Sequence, residues 1–216
     1  MNIGLIDNIK VTHLLGKITA LRDHETSMHS IEVTYLSSLL GKKLNLKIDE
    51  LQALMKGAYV HDLGKIGIAD KILLKESSFN DEEWIIMKQH AQMGADLLKD
   101  IKWYEKSIDI VLYHHEKYNG TGYPKGLKGD DIPCLARIFT IIDVFDALAR
   151  KRPYKEAFEF NQIISIMKED IGKHFDPYIM KYFLPLAEEF YNIINDLTED
   201  ELKSKLELTR IEIFGM

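Results

Sequence analysis

Hydrophobic residues recur three and four positions apart through most of the chain, and the strict alternation typical of a half-buried β-strand is almost absent. Because an α-helix turns once every 3.6 residues, this spacing places the apolar side chains on one helical face. Leu51, Leu54, Met55 and Ala58 show the pattern on a helix that is expected to begin at Asp49. The sequence therefore predicts an all-α fold built as a helical bundle.

The length and composition of the chain predict one domain. A chain of 216 residues with 46% hydrophobic content is long enough for one well-packed core, and it contains five prolines and no low-complexity linker. We expect a helical lead-in over about residues 1–20, a core over 20–180 and an amphipathic helical extension over 181–216, in which Thr198 and Glu201 form a capping box. The extension either supports a homodimer or only packs on the core.

Charge and cysteine content restrict the partners and the compartment. A net charge of −6 argues against a nucleic-acid polymer as the main partner, because proteins that bind such polymers usually present a dominant basic surface. The single cysteine, Cys134, excludes an internal disulfide and indicates a reducing compartment. No apolar run approaches the roughly 18 to 20 residues that a membrane span needs. We therefore expect a cytoplasmic protein without a membrane span.

Two short segments contain histidine and aspartate side by side or in pairs. His61 and Asp62 are adjacent, and His114 and His115 precede Gly122-Tyr123-Pro124. Imidazole nitrogens and carboxylate oxygens bind borderline and hard divalent metals, and one carboxylate can bridge two ions. A His-Asp pair also arises by chance in a chain with eight histidines, so the pair alone leaves the assignment open.

Two predicted helices carry further candidates. Asn80 is expected to cap a helix, with Glu83 completing a capping box, and this helix reaches His90 near its end. Another helix begins after Pro133 and carries Asp143 among apolar neighbours. An unpaired carboxylate is costly in such surroundings, so Asp143 needs a partner, and a metal ion is a suitable one.

Glu25 and His29 are four residues apart on one helical face, which lets both side chains reach a common ion, although a surface pair explains the spacing equally well. One ion cannot use all of the candidate ligands, but two or three ions can. Closely spaced metals stabilise both the attacking and the leaving oxygen of a phosphoryl displacement. The candidate ligands are Glu25, His29, His61, Asp62, His90, His114, His115 and Asp143.

Three motifs in order resemble the HD-GYP family, a branch of the HD superfamily of metal-dependent phosphohydrolases. They are His61-Asp62-Leu63-Gly64-Lys65, then His114-His115-Glu116 with Gly122-Tyr123-Pro124, then Asp143-Val144-Phe145-Asp146-Ala147 with Arg152-Pro153-Tyr154. The resemblance extends from about Asp23 to Pro177. It implies an HD-domain helical bundle with additional C-terminal helices.

The resemblance implies hydrolysis of cyclic di-GMP, a cyclic dinucleotide second messenger, to pGpG and in many members onward to GMP. A hydroxide held between metal ions attacks the phosphodiester, and no covalent intermediate forms. The family's metal ligands match His29, His61, Asp62, His90, His114, His115 and Asp143, with Asp62 expected to bridge two ions. Glu25 resembles the glutamate of members with three metals. Iron or manganese is expected for a ligand set of histidines and carboxylates without a thiolate. The ligand types alone do not exclude zinc, nickel or magnesium.

The resemblance also implies substrate contacts. Lys65 is expected to contact a phosphate and so to take part in catalysis beside Asp62, and Arg152 and Lys155 match substrate-binding cations. Tyr123 is expected to contact the substrate, and Asp146 to orient a metal ligand. Each assignment has a structural alternative. The alternative for Lys65 is a solvated lysine, and for Arg152 and Lys155 it is ordinary surface charge. For Tyr123 it is a residue that only fixes its loop, and for Asp146 a helix cap or a salt bridge.

Three residues depart from the common family pattern, and two other functions are possible for such a chain. Asn119, Ser27 and Ala69 replace residues common in the family, and none of the three is a proposed ligand. One alternative is a domain that senses a cyclic dinucleotide without turnover and passes the signal to a signalling-protein partner through the Gly-Tyr-Pro loop. A second is a different HD chemistry, such as phosphohydrolysis of another nucleotide or iron-dependent oxygenation. Loss of a metal ligand would favour the sensor, whereas the Gly-Tyr-Pro element argues against the other chemistry.

Overall fold

The computed structural model describes residues 3–22, 26–150 and 157–215. These residues contain no β-strand, which confirms the predicted all-α class. Short 3-10 helices cover Leu63–Gly67, Lys102–Tyr104, Gly129–Asp131 and Leu184–Leu186. The α-helices are α1 (Ile3–Arg22), α2 (Thr26–Lys43), α3 (Ile48–Val60), α4 (Asp70–Leu73), α5 (Asp81–Leu98), α6 (Ile108–Tyr113), α7 (Cys134–Ala149), α8 (Phe160–Glu169), α9 (Pro177–Phe183), α10 (Ala187–Asp196) and α11 (Glu199–Phe214).

The capping box predicted at the start of α5 is confirmed. The Asn80 side chain accepts a hydrogen bond from the backbone N–H of Glu83 at 2.8 Å, and the Glu83 carboxylate accepts one from the Asn80 N–H at 2.9 Å. The expectation that His90 lies near the end of this helix is wrong, because α5 continues to Leu98. Ala91, Ala95 and Leu98 extend its buried face, so packing sustains the helix beyond His90.

Helix α7 lies in the largest hydrophobic cluster. Nine of its residues are buried, and Phe139 and Phe145 are fully buried with Phe183 of α9 and Phe190 of α10. The Phe145 ring meets the Phe183 ring edge to face at 5.2 Å between centroids, a favourable aromatic arrangement. This central helix therefore holds its polar side chains, among them Asp143, in a fixed position relative to the rest of the core.

The C-terminal helix α11 packs against the other end of the bundle. Leu202, Leu206 and Phe214 of this helix are buried in one cluster with Leu51 and Met55 of α3. The capping box predicted from Thr198 and Glu201 is present at the start of α11. The domain boundaries and a homodimer through this extension stay predictions. None of the described helices combines the length and the apolar character required to cross a bilayer.

Gly64 sets the distance between the turn after α3 and helix α5. A Cβ atom on this residue would lie 1.8 Å from the backbone oxygen of His90 and 2.5 Å from the backbone nitrogen of Gly94. Only a residue without a side chain permits this approach, because both obstructing atoms belong to the backbone of a helix. The glycine of the His-Asp-Leu-Gly-Lys motif thus brings Asp62 beside His90.

We expect Gly64→Ala to push the His61–Lys65 turn away from α5, to lower the free energy of unfolding by roughly 1–3 kcal/mol, and to reduce bound metal. Denaturant unfolding and elemental analysis measure the two effects. Gly67→Ala is the matched control, because a Cβ there meets only the flexible Met93 side chain, with its sulfur at 2.8 Å. Equal stability and metal content in the two variants would contradict this role of Gly64.

Candidate metal centre

The ends and interiors of five helices deliver the candidate ligands to one place. His61 directly follows α3, and His114 and His115 directly follow α6. His29 lies in α2 and His90 in α5, whereas Asp143 lies on α7. All five histidines and the carboxylate are buried or half-buried. The helical bundle therefore places these polar groups inside the protein rather than on its surface.

Backbone carbonyls fix the orientation of three imidazole rings. The Nδ1–H groups of His61, His90 and His114 donate to the carbonyl oxygens of Ala58, Met87 and Val111, at 2.8, 2.8 and 2.9 Å. Since Nδ1 carries the proton in this arrangement, Nε2 keeps a free lone pair. These are the hydrogen bonds by which proteins usually orient metal-binding histidines.

The Nε2 atoms converge. His90 Nε2 lies 3.4 Å from His114 Nε2 and 3.2 Å from His115 Nε2, and His29 Nε2 lies 3.3 Å from His61 Nε2. Lone pairs that face one another at such distances repel unless a proton or a cation lies between them. A divalent cation fits this donor set, which consists of imidazole nitrogens and carboxylate oxygens.

The ligands form two groups with Asp62 between them. His90, His114 and His115 form one group, and His29, His61 and Asp143 form the other, with ligand atoms inside each group within 4.8 Å of one another. Asp62 Oδ2 lies 3.2 Å from His61 Nε2, and Oδ1 lies 3.5 Å from His90 Nε2. The two oxygens of this carboxylate therefore face different groups, which is the geometry that a bridging ligand requires.

Burial keeps one group of histidines neutral. Burial, together with the neighbouring imidazoles of His61 and His90, lowers the pKa of His114 to about 3. Burial and the nearby His114 and His90 hold the pKa of His115 well below 6.5, and burial also lowers that of His90. Neutral imidazole is the form that binds a metal, so these three side chains need not lose a proton first.

Asp62 is a buried carboxylate that neighbouring positive charge keeps ionised. Burial alone would raise its pKa, but Lys65, whose Nζ lies 2.8 Å from Asp62 Oδ2, and His61 outweigh burial and hold the pKa well below 3.8. Asp143 behaves similarly, because His29 at 3.2 Å outweighs burial and lowers its pKa. Both side chains are therefore available as anionic ligands.

His29 differs from the other histidines because a carboxylate contacts its Nδ1. Its Nδ1–H donates to Asp146 Oδ2 at 2.6 Å. Burial lowers the pKa of His29, but Asp146 and Asp143 outweigh burial and raise it to about 10. The structure thus brings Asp146 against a candidate ligand, the position expected for a residue that orients the ring.

A second ion pair adjoins this contact. Glu32 is buried and pairs with Arg150, whose Nε lies 3.8 Å from the second oxygen of Asp146. Sequence reasoning missed Glu32, because nothing near it in the chain indicates that its partner comes from the end of α7. The pair connects the last turn of α7 to α2, the helix that carries His29.

Glu116 is a further residue to which the sequence gave no role. Its carboxylate is buried and accepts hydrogen bonds from the backbone N–H groups of Lys125, Gly126 and Leu127, at 2.7, 3.0 and 3.0 Å. A glutamate directly after the histidine doublet and before a glycine-rich loop is the signal that could have identified it. Glu116 ties the Gly-Tyr-Pro loop to the segment that carries the candidate ligands His114 and His115.

The Gly-Tyr-Pro loop packs on the backbone of residues 115–117. Gly122 approaches the backbone so closely that a Cβ atom would lie 2.3 Å from the nitrogen of Lys117. The ring of Tyr123 stacks on His115 with centroids 4.7 Å apart. Asn119 Oδ1 accepts two hydrogen bonds from Thr121, from its backbone N–H at 3.0 Å and from its hydroxyl at 2.7 Å, and so forms an Asx turn.

Three of the predicted site residues lie outside the described part of the chain. They are the candidate third-metal ligand and the two candidate substrate cations, Glu25, Arg152 and Lys155.

Comparison with known proteins gives consistent matches. The family described as HD domain matches residues 13–179. A cyclic di-GMP phosphodiesterase of Vibrio cholerae serotype O1 is 36% identical over 194 residues, which are 83% of this chain and 39% of that protein. The 3'3'-cGAMP-specific phosphodiesterase 2 of the same organism is 34% identical over 199 residues, 89% of this chain and 38% of that protein. The chain thus spans less than half the length of these two curated relatives.

A solved structure shares the fold. The crystal structure of a cyclic GMP-AMP specific phosphodiesterase of V. cholerae, V-cGAP3, matches with a TM-score of 0.70 at 18% sequence identity. The match covers 94% of this chain and 54% of that chain. At this level of identity the match shows a common helical architecture.

Metal binding to the metal-free protein should release about one proton at roughly pH 7.5, because His29 is protonated below its pKa of about 10 and must lose its Nε2 proton to bind an ion. Affinity should accordingly rise with pH up to that pKa. Calorimetry in buffers of different ionisation enthalpy measures the release. The Asp146→Asn variant should release fewer protons than the wild type. Equal proton release by the wild type and this variant would contradict the assignment to His29.

We expect Glu116→Gln to lower the free energy of unfolding by roughly 1–3 kcal/mol, because an amide cannot replace every acceptor that three backbone N–H groups use. Hydrogen exchange at residues 125–127 should increase at the same time. Glu105→Gln on the exposed surface is the control. Unchanged exchange at these three amides would show that Glu116 does not hold the loop.

Proposed function

Because the chain belongs to the HD domain family and, within it, to the HD-GYP branch, we propose that it is a metal-dependent phosphodiesterase that hydrolyses cyclic di-GMP. The observation that carries the proposal is the pair of ligand groups on either side of Asp62. A relative with this activity by name shares 36% of its matched residues with the chain. The proposed products are pGpG and, by a second hydrolysis, GMP.

The proposed mechanism assigns separate tasks to the residues of the centre. His90, His114 and His115 would hold one ion, His29, His61 and Asp143 would hold another, and Asp62 would bridge them. Such ions supply a water molecule of lowered pKa and withdraw charge from the phosphate oxygens. Asp62 needs no proton transfer before it binds, because it is already ionised.

Lys65 is the proposed phosphate contact. Its ammonium group lies 2.8 Å from Asp62, the proposed bridging carboxylate, and is partly exposed to solvent. Once cations share the charge of Asp62, the ammonium group can donate to a phosphate oxygen of the substrate, and such charge-assisted hydrogen bonds are strong. Arg152, Lys155 and Tyr123 are the further proposed substrate contacts.

The metal content is also part of the proposal. Two ligand groups support two ions, and a third ion beside Glu25 stays a prediction. We propose iron or manganese, because both accept mixed imidazole and carboxylate ligands without thiolate. The proposal includes a cytoplasmic location, where a cyclic dinucleotide acts as a second messenger, and leaves a homodimer as a prediction.

One relative supports a second candidate substrate. The V. cholerae protein named for 3'3'-cGAMP is 34% identical to the chain, which is close to the value for the relative named for cyclic di-GMP. Hydrolysis of a mixed guanine and adenine cyclic dinucleotide would use the same metal centre. A sensor without turnover is less favoured, because the six candidate ligands of the two groups and Asp62 converge with their donor atoms.

The test is incubation of anaerobically purified, iron- or manganese-loaded protein with cyclic di-GMP and with 3'3'-cGAMP, followed by chromatography of the products. We expect Asp62→Ala to abolish turnover and to lower metal content, since the bridging ligand is lost. We expect Lys65→Ala to retain its metals and to raise KM roughly ten- to hundredfold, the cost of one hydrogen bond to a charged group. Lys99→Ala, an exposed lysine on the surface, is the control.

The outcomes separate the candidates. Conversion of cyclic di-GMP by the wild type and the control, but not by Asp62→Ala, supports the proposed enzyme. Faster conversion of 3'3'-cGAMP would favour the second substrate. Full metal occupancy without conversion of either nucleotide would favour a sensor, and normal turnover by Asp62→Ala would exclude the proposed mechanism.

A further inference from the structure

A row of aromatic rings leads from the surface to the metal centre. Tyr123 stacks on the candidate ligand His115, and the ring of Trp84 meets Tyr123 edge to face with centroids 6.3 Å apart. Phe79 lies nearly parallel to Trp84, at 6.0 Å and an interplanar angle of 21°. Trp84 stands in the first turn of α5, the same helix that carries His90, and is 42% exposed.

A cation completes this group. The Lys88 ammonium group lies 5.5 Å from the centroid of the Trp84 ring and 5.4 Å from that of Tyr123. One turn of α5 separates Lys88 from Trp84, so both side chains project from one face of the helix. Lys88 is half-buried. The metal centre does not use either residue, and 42% of the Trp84 surface is open to solvent.

We propose that Trp84 and Lys88, with Tyr123, form a guanine-binding platform beside the metal centre, an inference that rests on the proposed function. One base of the cyclic dinucleotide stacks on Trp84 while the phosphodiester reaches the metals. An exposed indole next to positive charge is the usual arrangement by which proteins bind an unstacked base. Because Tyr123 joins the platform to His115, the stacked base is held at a fixed distance from the ligands.

Lys88 gives the platform a preference among purines. The edge of guanine carries two acceptors, N7 and O6, whereas adenine presents one acceptor and an N6 amino donor at the same positions. An ammonium group has donors only, so it bonds both acceptors of guanine and meets the amino group of adenine unfavourably. Lys88 is therefore a specificity-determining residue that favours guanine.

Fluorescence and steady-state kinetics test the platform. The chain has two tryptophans, and Trp103 belongs to a separate cluster, where its Nε1–H donates to Thr12. The probes are hydrolysis-resistant phosphorothioate analogues of cyclic di-GMP and cyclic di-AMP, added to the metal-loaded protein. Binding of the guanine analogue should quench wild-type emission, because a stacked purine quenches indole, and the quench should disappear in Trp84→Phe.

Affinity and turnover give the quantitative readouts. Trp84→Ala should raise Kd for the analogue and KM for cyclic di-GMP roughly five- to 150-fold, the value of one stacked base, with kcat within about twofold and metal content unchanged. Trp84→Phe should recover part of the affinity. Lys88→Met should lower the preference for the guanine analogue over the adenine analogue by about fivefold or more. Ile85→Ala, an exposed neighbour on α5, should behave as the wild type.

The platform and the proposed function fail in different ways. Wild-type affinity in Trp84→Ala overturns the platform, whatever the turnover. Binding that depends on Trp84, without hydrolysis of cyclic di-GMP, supports the platform and overturns the proposed function. A wild type that binds neither analogue overturns the platform, and an unchanged purine preference in Lys88→Met overturns the role of Lys88.

Discussion

The convergence of imidazole nitrogens inside the bundle is the constraint on which the rest of the structure depends. Five histidines bring Nε2 atoms within 3.2–3.4 Å of a neighbouring Nε2. Four of the rings, those of His29, His61, His90 and His114, are held by a hydrogen bond from Nδ1 to a carbonyl or a carboxylate, so the direction of their Nε2 atoms is fixed. Desolvation keeps three of the rings neutral. A site built in this way can hold divalent cations, because most of its donors are already oriented and deprotonated.

Buried carboxylates are stable here because each has a specific set of partners. Glu116 accepts three backbone hydrogen bonds, Glu32 pairs with Arg150, and Asp146 accepts from His29. An unpaired buried charge would be strongly destabilising, so each pair restricts where its two elements can lie. Asp146 and Glu32 fix α7 relative to α2, while Glu116 fixes a loop relative to the end of α6. The same contacts therefore stabilise the fold and position the candidate ligands.

The chemistry and the proposed recognition come from different parts of the molecule. The candidate ligands lie in the interior, where burial controls their protonation, whereas Trp84 is partly exposed and Lys88 lies beside its ring. Tyr123 contacts both regions through His115 and Trp84. Helix α5 carries both His90 and Trp84, so one rigid element fixes the distance between the two regions.

The sequence by itself determined the helical class and the capping boxes at Asn80 and Thr198. It also determined which residues the resemblance proposed as ligands. All of these follow from local periodicity or from motifs of adjacent residues. It did not determine how far α5 extends, since packing beyond His90 is non-local. It gave no role to Glu116, Glu32 or Lys88, whose partners are distant in sequence or depend on a loop. Only the tertiary structure decided that Asp62 faces two ligand groups and that Asp146 contacts His29. Those distances depend on how the helices pack, including the contact that Gly64 permits with α5.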